Sequence, residues 1–218
     1  MGGGSVPDGG RFALRPLTAA SLGEAAGWLA RRDPDLARIR RRHGPPPMWG
    51  RPSGFGTLAR IILEQQVSLA SAASTFRRLE AGLGRVAPAT LAAAGEARIR
   101  ALGVTRQKTA YLVLLARAVE SGALDLAAIG RLPDEEARSV LLRLKGIGPW
   151  SADIYLLMAL RRPDVWPAGD LALATAARAV KGLRRRPSPE ALSRLAEPWR
   201  PFRSVAARML WQHYLGDA

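Results

Sequence analysis

Hydrophobic residues recur at helical spacing along most of the chain. One apolar helical face is predicted in the stretch 57–69, which runs through EQQVS, and it comprises Leu58, Ile61, Ile62 and Leu69. The run RQKTAYLVLLARAVESG has the same period, and Thr105 precedes it as a helix N-cap. No segment of useful length alternates between apolar and polar residues, so the pattern predicts an all-α protein.

Caps and helix breakers divide this pattern into segments. Ser21 and Glu24 have the spacing of a capping box, which predicts a first helix to about Arg32, and Asp33 opens a second, short helix. The run HGPPPMWGRPSGFG is too rich in proline and glycine to be helical. It is either a loop on the rim of an active site, carrying Trp49 and Phe55, or a packed connector.

The stretch LKGIGPWSADIYLLMALRRPDVWPAGD predicts a helix, a tight hairpin and a second helix, with the whole motif at about residues 133–161. Gly146 and Gly148 permit the tight turn, and Pro149 suits the first turn of the second helix. The free N–H groups at the start of that helix suit a phosphate oxygen. Asp170 then precedes LALATAARAV as a helix N-cap, 22 residues after Gly148.

Composition narrows the classes of partner and of site. The chain has 218 residues, 48% of them hydrophobic, and a formal net charge of +15, which favours a polyanion such as nucleic acid. Cysteine is absent, which excludes disulfides, thiolate metal sites and a cysteine-ligated iron–sulfur cluster. No apolar run reaches the roughly 18 residues of a membrane span. We expect residues 1–12 to be a disordered glycine-rich lead-in and 13–218 to form one all-helical unit.

The segment LKGIGPWSAD resembles the helix-hairpin-helix of DNA glycosylases, whose usual form is L-P-G-I/V-G-x-x-T-A, with Lys145 for the proline and Ser151 for the threonine. Other segments resemble the DNA-3-methyladenine glycosylase II branch; they are DPDLARI, LEQQVSLASAAS, ALGVTRQKTAYLVLLA and WRPFRSVAARMLWQHY. The resemblance implies a helix-hairpin-helix glycosylase fold, with two helical lobes around a DNA-binding cleft. It implies the compact form without an N-terminal β domain, because only about 50 residues precede the predicted helix that contains QQVS.

The same resemblance assigns roles to single residues. Asp170 matches the catalytic carboxylate, and Trp150 and Trp211 match aromatic walls of the base pocket, with Tyr155 and Trp49 as further pocket candidates. Gln66 matches the wedge that fills the space left by a flipped base. The residues expected to contact DNA are Gly146, Ile147, Gly148, Lys145, Ser151, Gln66 and Arg203. Main-chain carbonyls that could hold a structural monovalent cation are those of Leu142, Leu144 and Ile147.

The implied activity is excision of alkylated purines such as 3-methyladenine from duplex DNA by base flipping, the first step of base excision repair. Trp150 stands where bifunctional relatives carry a Schiff-base lysine, so the resemblance implies a monofunctional enzyme. The expected partner is double-stranded DNA with damaged bases, bound by a monomer in the cytoplasm, at the bacterial nucleoid, with no organic cofactor. Two alternatives remain: a glycosylase of other base specificity, and a non-catalytic module that only grips DNA.

The residues also have plainer interpretations. Asp170 alone could be an ordinary helix cap, and Trp150 and Trp211 could be core residues. We assign three further tryptophans to packing, namely Trp28, Trp166 and Trp199. Asp153 is either a second acid or, as we expect, a solvated or structural carboxylate. The two histidines, His43 and His213, are too few and too far apart in the chain for a zinc site.

Overall fold

The computed structural model describes residues 15–216, and every regular element in that range is helical. The predicted lead-in at 1–12 lies outside the described residues. The helices, in chain order, are α1 (Ala19–Arg32), α2 (Pro34–His43), α3 (Phe55–Glu64), α4 (Leu69–Leu83), α5 (Pro88–Ala101), α6 (Arg106–Glu120), α7 (Leu126–Ile129), α8 (Asp134–Leu142), α9 (Pro149–Ile154), α10 (Leu171–Val180), α11 (Pro189–Ala196) and α12 (Arg203–Gly216). A π-helical turn, Tyr155–Ala159, follows α9, and a 3₁₀ turn, Glu197–Trp199, follows α11.

The described chain divides into two compact units. The first unit holds residues 15–50 and 156–216, and the second holds residues 51–155. The prediction of an all-α fold with two helical lobes is therefore confirmed. Within the described range no helix is long and apolar enough to cross a membrane.

In the first unit, α2, α10 and α12 pack together around a buried core. Asp33 links three segments of this unit. Its carboxylate caps α2 and accepts 2.8 Å hydrogen bonds from Trp199 Nε1 and Lys181 Nζ. Burial alone would raise the pKa of Asp33, but the hydrogen bonds from Lys181 and Trp199 outweigh it and hold the pKa below its ordinary value.

The tryptophans assigned to packing do pack. Trp199 and Trp166 are buried edge to face, with ring centroids 5.5 Å apart. Trp28 lies edge-on to Phe202 and carries the Arg32 guanidinium 3.8 Å above its ring.

The predicted start of α1 is wrong by one turn. Thr18, not Ser21, is the N-cap: Thr18 Oγ1 accepts a hydrogen bond from the Ser21 N–H, and Ser21 Oγ accepts one from the Thr18 N–H. Because Ser21 can serve either as a cap or as the third residue of a box, the S-x-x-E spacing alone did not identify the correct register.

In the second unit, α3 packs against α4, α6 and α9, and α5 packs against α6. Here the predicted continuous helix through EQQVS is wrong. The helix α3 ends at Glu64, residues 65–68 form a turn, and Ser68 caps α4 by accepting from the Ser71 N–H. Leu69, expected in the core, is therefore at the start of a new helix and 66% exposed. A capping serine and a left-handed Gln66 break the helix more strongly than the apolar period continues it.

The proline- and glycine-rich connector is not helical between residues 44 and 54, as predicted. Its two aromatic residues differ in how far they are buried. Phe55 begins α3 and is buried, which supports the packing interpretation. Trp49 is half-buried in the left-handed region, at a φ of 43°, and stays a candidate for the active-site rim.

Candidate active site

Asp170 is the N-cap of α10, as predicted. Its Oδ1 accepts a 2.8 Å hydrogen bond from the Leu173 N–H, which satisfies one of the free N–H groups at the start of the helix. Asp170 is partly buried. The positive end of the α10 dipole favours its negative charge. The cap of α10 and the predicted catalytic carboxylate are therefore the same side chain.

Trp211 does not form an open aromatic wall. Its side chain is buried, at 7% exposure, and its Nε1–H donates a 3.1 Å hydrogen bond to Asp170 Oδ1. The indole and the Leu173 N–H together fix the position of one carboxylate oxygen. We therefore replace the predicted wall role with a positioning role: Trp211 orients Asp170 from α12.

The loop that carries Trp49 is tied to α12 by a buried arginine. Arg208 is fully buried, and its guanidinium donates to the carbonyls of Met48, Ser204 and Leu157 at 2.8, 3.1 and 2.8 Å. Burial lowers its pKa to about 10, so the group remains charged at neutral pH. One helix, α12, thus positions both Asp170 and the residue before Trp49.

The fold requires glycine at one of the two hairpin positions and not at the other. Gly146 adopts a φ of 94°, and a Cβ on it would lie 2.3 Å from the Tyr111 ring, so only glycine fits there. Gly148 has a φ of −91° and open space where a Cβ would be. The fold does not require glycine at position 148. A close approach by an external group, such as a phosphate at the start of α9, would require it.

The hairpin is tied to the turn before α4. Gln65 Nε2 donates to the Gly146 carbonyl at 2.8 Å and to Ser151 Oγ at 2.9 Å. Ser151 is therefore a buried structural group, at 2% exposure, and the prediction that its side chain contacts DNA is not supported. The same holds for the Ile147 side chain, which is buried and leaves only its backbone for a ligand. Lys145, by contrast, is exposed.

Gln66 is exposed at the tip of that turn, in the left-handed region at a φ of 57°. Lys108 fixes the turn from α6, because its Nζ donates to the carbonyls of Leu63 and Gln65 at 2.7 and 2.8 Å. These are carbonyls at the end of α3, where a cation also complements the helix dipole. The predicted wedge therefore projects from a rigidly held turn.

Three functional supports were missed by sequence reasoning: Gln65, Lys108 and Tyr111. Lysine is rare in this chain, with three lysines among 33 basic residues. Two of the three, Lys108 and Lys181, make specific buried contacts, so the rarity of lysine was a usable signal.

The other predicted site residues are distributed as follows. Trp150 is half-buried in the first turn of α9, immediately after the hairpin. Tyr155 is fully buried, accepts a 3.0 Å hydrogen bond from the Gly54 N–H and has a pKa raised by burial, so it does not line an open pocket. Arg203 is held by Asp164 at 3.0 Å through two nitrogens and is 14% exposed, so its predicted DNA contact is not supported.

Asp153, one turn past the hairpin, is structural as predicted, since it pairs with Arg138 at 2.7 Å. The carbonyls of Leu142, Leu144 and Ile147 lie at the end of α8 and in the hairpin, where orphan carbonyls and the negative end of the helix dipole suit a cation. The Leu144 carbonyl accepts the Ile147 N–H at 3.0 Å and keeps a second lone pair. The monovalent-cation site at these three carbonyls stays a prediction.

The structure therefore brings two sets of residues together. In the first unit, Asp170 and Trp211 share a hydrogen bond. In the second unit, Gln65 links the turn that carries Gln66 to the hairpin that precedes Trp150.

Comparison with known proteins identifies a family with this architecture. The family model described as "HhH-GPD superfamily base excision DNA repair protein" matches residues 59–201. A DNA-3-methyladenine glycosylase of Bacillus subtilis is 26% identical over 204 residues, which cover 84% of this chain and 65% of the relative. DNA-3-methyladenine glycosylase 2 of Escherichia coli is 30% identical over 163 residues, covering 70% of this chain and 55% of the relative. The chain thus spans less than two thirds of the length of these curated relatives.

Among solved structures, the 3-methyladenine DNA glycosylase of Schizosaccharomyces pombe in complex with abasic DNA matches with a TM-score of 0.78 and 28% identity, over 86% of this chain and 95% of that one. Together with the hairpin, its glycine requirement and the aspartate that opens α10, this match leads to one conclusion. The chain belongs to the HhH-GPD superfamily of base excision DNA repair proteins.

Proposed function

We propose that the protein is a monofunctional DNA N-glycosylase that removes alkylated purines such as 3-methyladenine from duplex DNA. The observation that carries the proposal is the placement of Asp170: it opens α10, 22 residues after the second hairpin glycine, with its Oδ1 held by Trp211 and Leu173. The names of the Bacillus subtilis and Escherichia coli relatives support the substrate class.

The proposed reaction is a hydrolysis. N-alkylation makes the purine a cationic leaving group, so the bond to C1′ breaks with its electron pair going to the base. The Asp170 carboxylate stabilises the sugar cation that forms and orients the attacking water, whose oxygen bonds to C1′ and whose proton passes to the carboxylate or to solvent. The fixed Oδ1 reduces reorganisation at that moment, because its two donors are already in place.

Access to the base requires flipping, since the bond is hidden in the duplex. In the proposal, the hairpin and Lys145 hold the phosphate backbone, and Gln66 fills the space that the base leaves. Trp150 and Trp49 offer indole faces to the cationic purine. The protein works as a monomer, without an organic cofactor, in the cytoplasm where the chromosomal DNA lies.

The monofunctional assignment rests on the nucleophile. Strand cleavage through a Schiff base requires a primary amine beside C1′. The residue two positions after Gly148 is Trp150, and the nearest lysine, Lys145, lies on the other side of the hairpin. The product is therefore an intact strand with an abasic site.

Base release from a panel of substrates tests the proposal. The panel contains methylated DNA and duplexes with hypoxanthine, ethenoadenine or 8-oxoguanine, read out as alkali-labile abasic sites. We expect release of methylated purines and no protein–DNA adduct after borohydride treatment. Release of 8-oxoguanine alone would indicate another specificity, borohydride trapping would indicate a bifunctional enzyme, and binding without release would indicate a non-catalytic module.

A further inference from the structure

A groove between α1 and α2 has the chemistry of a second anion site, and the proposed reaction does not use it. It has a volume of about 500 Å³. Its floor consists of small residues and its walls of arginines; the lining is Gly27, Ala30, Arg31, Ala37, Arg40, Arg41, Gly44 and Pro45. All three arginines are exposed. The groove therefore presents cationic side chains around a floor without bulky groups.

The neighbouring arginines are already engaged, whereas these three are not. Arg38 pairs with Asp35 at 2.7 Å, and Arg32 stacks on the Trp28 ring. Within residues 15–216, no carboxylate pairs with Arg31, Arg40 or Arg41. Basic residues in a last helical turn do complement the helix dipole. The helix dipole does not explain, however, why side chains from two different helices converge on one groove.

The convergence is visible at Gly27. A Cβ on this glycine would lie 3.5 Å from Arg40 Nη1 and 3.6 Å from Arg31 Nη1, so both guanidinium groups lie above the same residue. Two like charges side by side repel each other unless an anion is shared between them. The planar guanidinium fork matches the oxygens of a phosphate, so phosphate is the anion that fits best.

We propose that the α1–α2 groove binds phosphates of the DNA backbone, as a sequence-independent contact separate from the residues that act on the base. The occupant follows from charge complementarity: the chain carries a net charge of +15, and its proposed substrate is a polyanion. The inference rests on the proposed function only in taking DNA as that polyanion. The groove would prolong residence on undamaged DNA and would not alter the chemical step.

The first test removes the three charges. The variant Arg31→Gln/Arg40→Gln/Arg41→Gln is compared with Arg77→Gln/Arg100→Gln/Arg117→Gln, which removes three exposed arginines of the second unit. Binding to undamaged duplex is measured across salt concentrations. Each lost phosphate contact lowers the log–log salt slope by about 0.9, so the groove variant should lose about 2–3 in slope and roughly tenfold to hundredfold in affinity. The control should lose much less.

A second pair of variants tests the geometry. Gly27→Asp places a carboxylate between the two guanidinium groups, and Gly27→Ala adds only the Cβ, which the 3.5 Å spacing accommodates. We expect Gly27→Asp to weaken binding to undamaged DNA at least tenfold, and Gly27→Ala to bind as the wild type does. Gly27→Ala replaces a helical glycine and should not lower the unfolding temperature. Because Gly27 is buried, a thermal melt of Gly27→Asp establishes that this variant is folded under the conditions of the binding measurement.

The outcomes separate the proposals. An unchanged salt slope in the arginine variant, or an equal loss in the control, would overturn the groove site. Retained DNA binding with lost binding to polyglutamate would also overturn it, in favour of an acidic protein partner. If the wild type releases no base from methylated DNA while the difference in salt slope persists, the groove stands and the proposed activity fails. Single-turnover base release by the arginine variant at saturating concentration should equal the wild-type rate.

Discussion

At the scale of single residues, Asp170 is both the N-cap of α10 and the proposed catalytic carboxylate. Its capping role could be predicted from the sequence, because a cap depends on the next three residues. Its hydrogen bond from Trp211 could not, since the two residues are 41 positions apart and only the tertiary fold brings them together. The resemblance predicted an aromatic wall at Trp211, whereas the structure buries the ring and pairs its N–H with Asp170. The indole acts through its N–H and not as an exposed ring face.

The Trp211–Asp170 hydrogen bond can be removed with the ring kept largely in place. In Trp211→Phe, one donor to the carboxylate is lost, and a hydrogen bond to a charged group typically contributes about 1.5–3 kcal/mol. We expect single-turnover base release to fall roughly tenfold to hundredfold, with KM nearly unchanged. The matched control is Trp199→Phe, which removes an indole bond to a different carboxylate, Asp33, in the same unit. The control should lower the unfolding temperature and leave the rate unchanged; equal rates for both variants would contradict the positioning role.

Gln66 is the second residue with a separable role. Gln66→Ala and Gln66→Gly both remove the wedge side chain, but only glycine adopts a φ of 57° without strain. Flipping costs a few kcal/mol, so both variants should lose roughly tenfold or more in single-turnover rate on lesion DNA. Because Gln66 itself has a Cβ at this φ, Gln66→Ala should keep the wild-type stability, and Gln66→Gly should gain about 1 kcal/mol. Wild-type kinetics in Gln66→Gly would move the wedge to another segment.

At the scale of elements, α6 supports both turns of the second unit that face the proposed substrate. Lys108 holds the turn that carries Gln66, and Tyr111, one helical turn later, packs where a Cβ on Gly146 would lie. The helix starts at Thr105 and Asp170 were predicted correctly, because a cap is a local signal. The sequence did not predict the support from α6, which depends on contacts between distant segments.

The two hairpin glycines provide a matched pair at this scale. Gly146→Ala places a Cβ 2.3 Å from the Tyr111 ring and keeps a residue with a Cβ at a φ of 94°, so it should destabilise the fold by about 2–4 kcal/mol. Gly148→Ala meets no atom within 4 Å and should melt as the wild type does. If Gly148 admits a phosphate, its alanine variant should still bind DNA at least tenfold more weakly. Thermal melts and binding curves on the same preparations decide both points.

At the scale of the whole molecule, the sequence predicted the basic charge and the helical fold. It did not predict which candidate site residues belong to which unit. The first unit carries the carboxylate, its tryptophan and the α1–α2 groove, whereas the second carries the hairpin and the wedge turn. Composition reports only the sum of charges. Composition does not show that Arg203 forms an ion pair with Asp164, whereas Arg31 and Arg40 have no carboxylate partner in the described chain.

The net charge of +15 makes a prediction for the wild type. If about five phosphates are neutralised on binding, the log of the association constant should fall with the log of salt concentration with a slope of about −4 to −5. The slope should be the same for undamaged duplexes of different sequence, because phosphate contacts carry no sequence information. A flat salt response would contradict an electrostatic grip on the backbone.

The central claim is that Asp170 stabilises the transition state for base release, and one comparison tests it most directly. Single-turnover release from methylated DNA is measured for the wild type and for Asp170→Asn, with both enzymes saturating. Asparagine keeps a side-chain oxygen that can accept the Leu173 N–H, so melting temperature and DNA binding should change little. Losing the charge should lower the rate by roughly 10²–10⁴. Efficient release by a folded, DNA-bound Asp170→Asn would contradict the account.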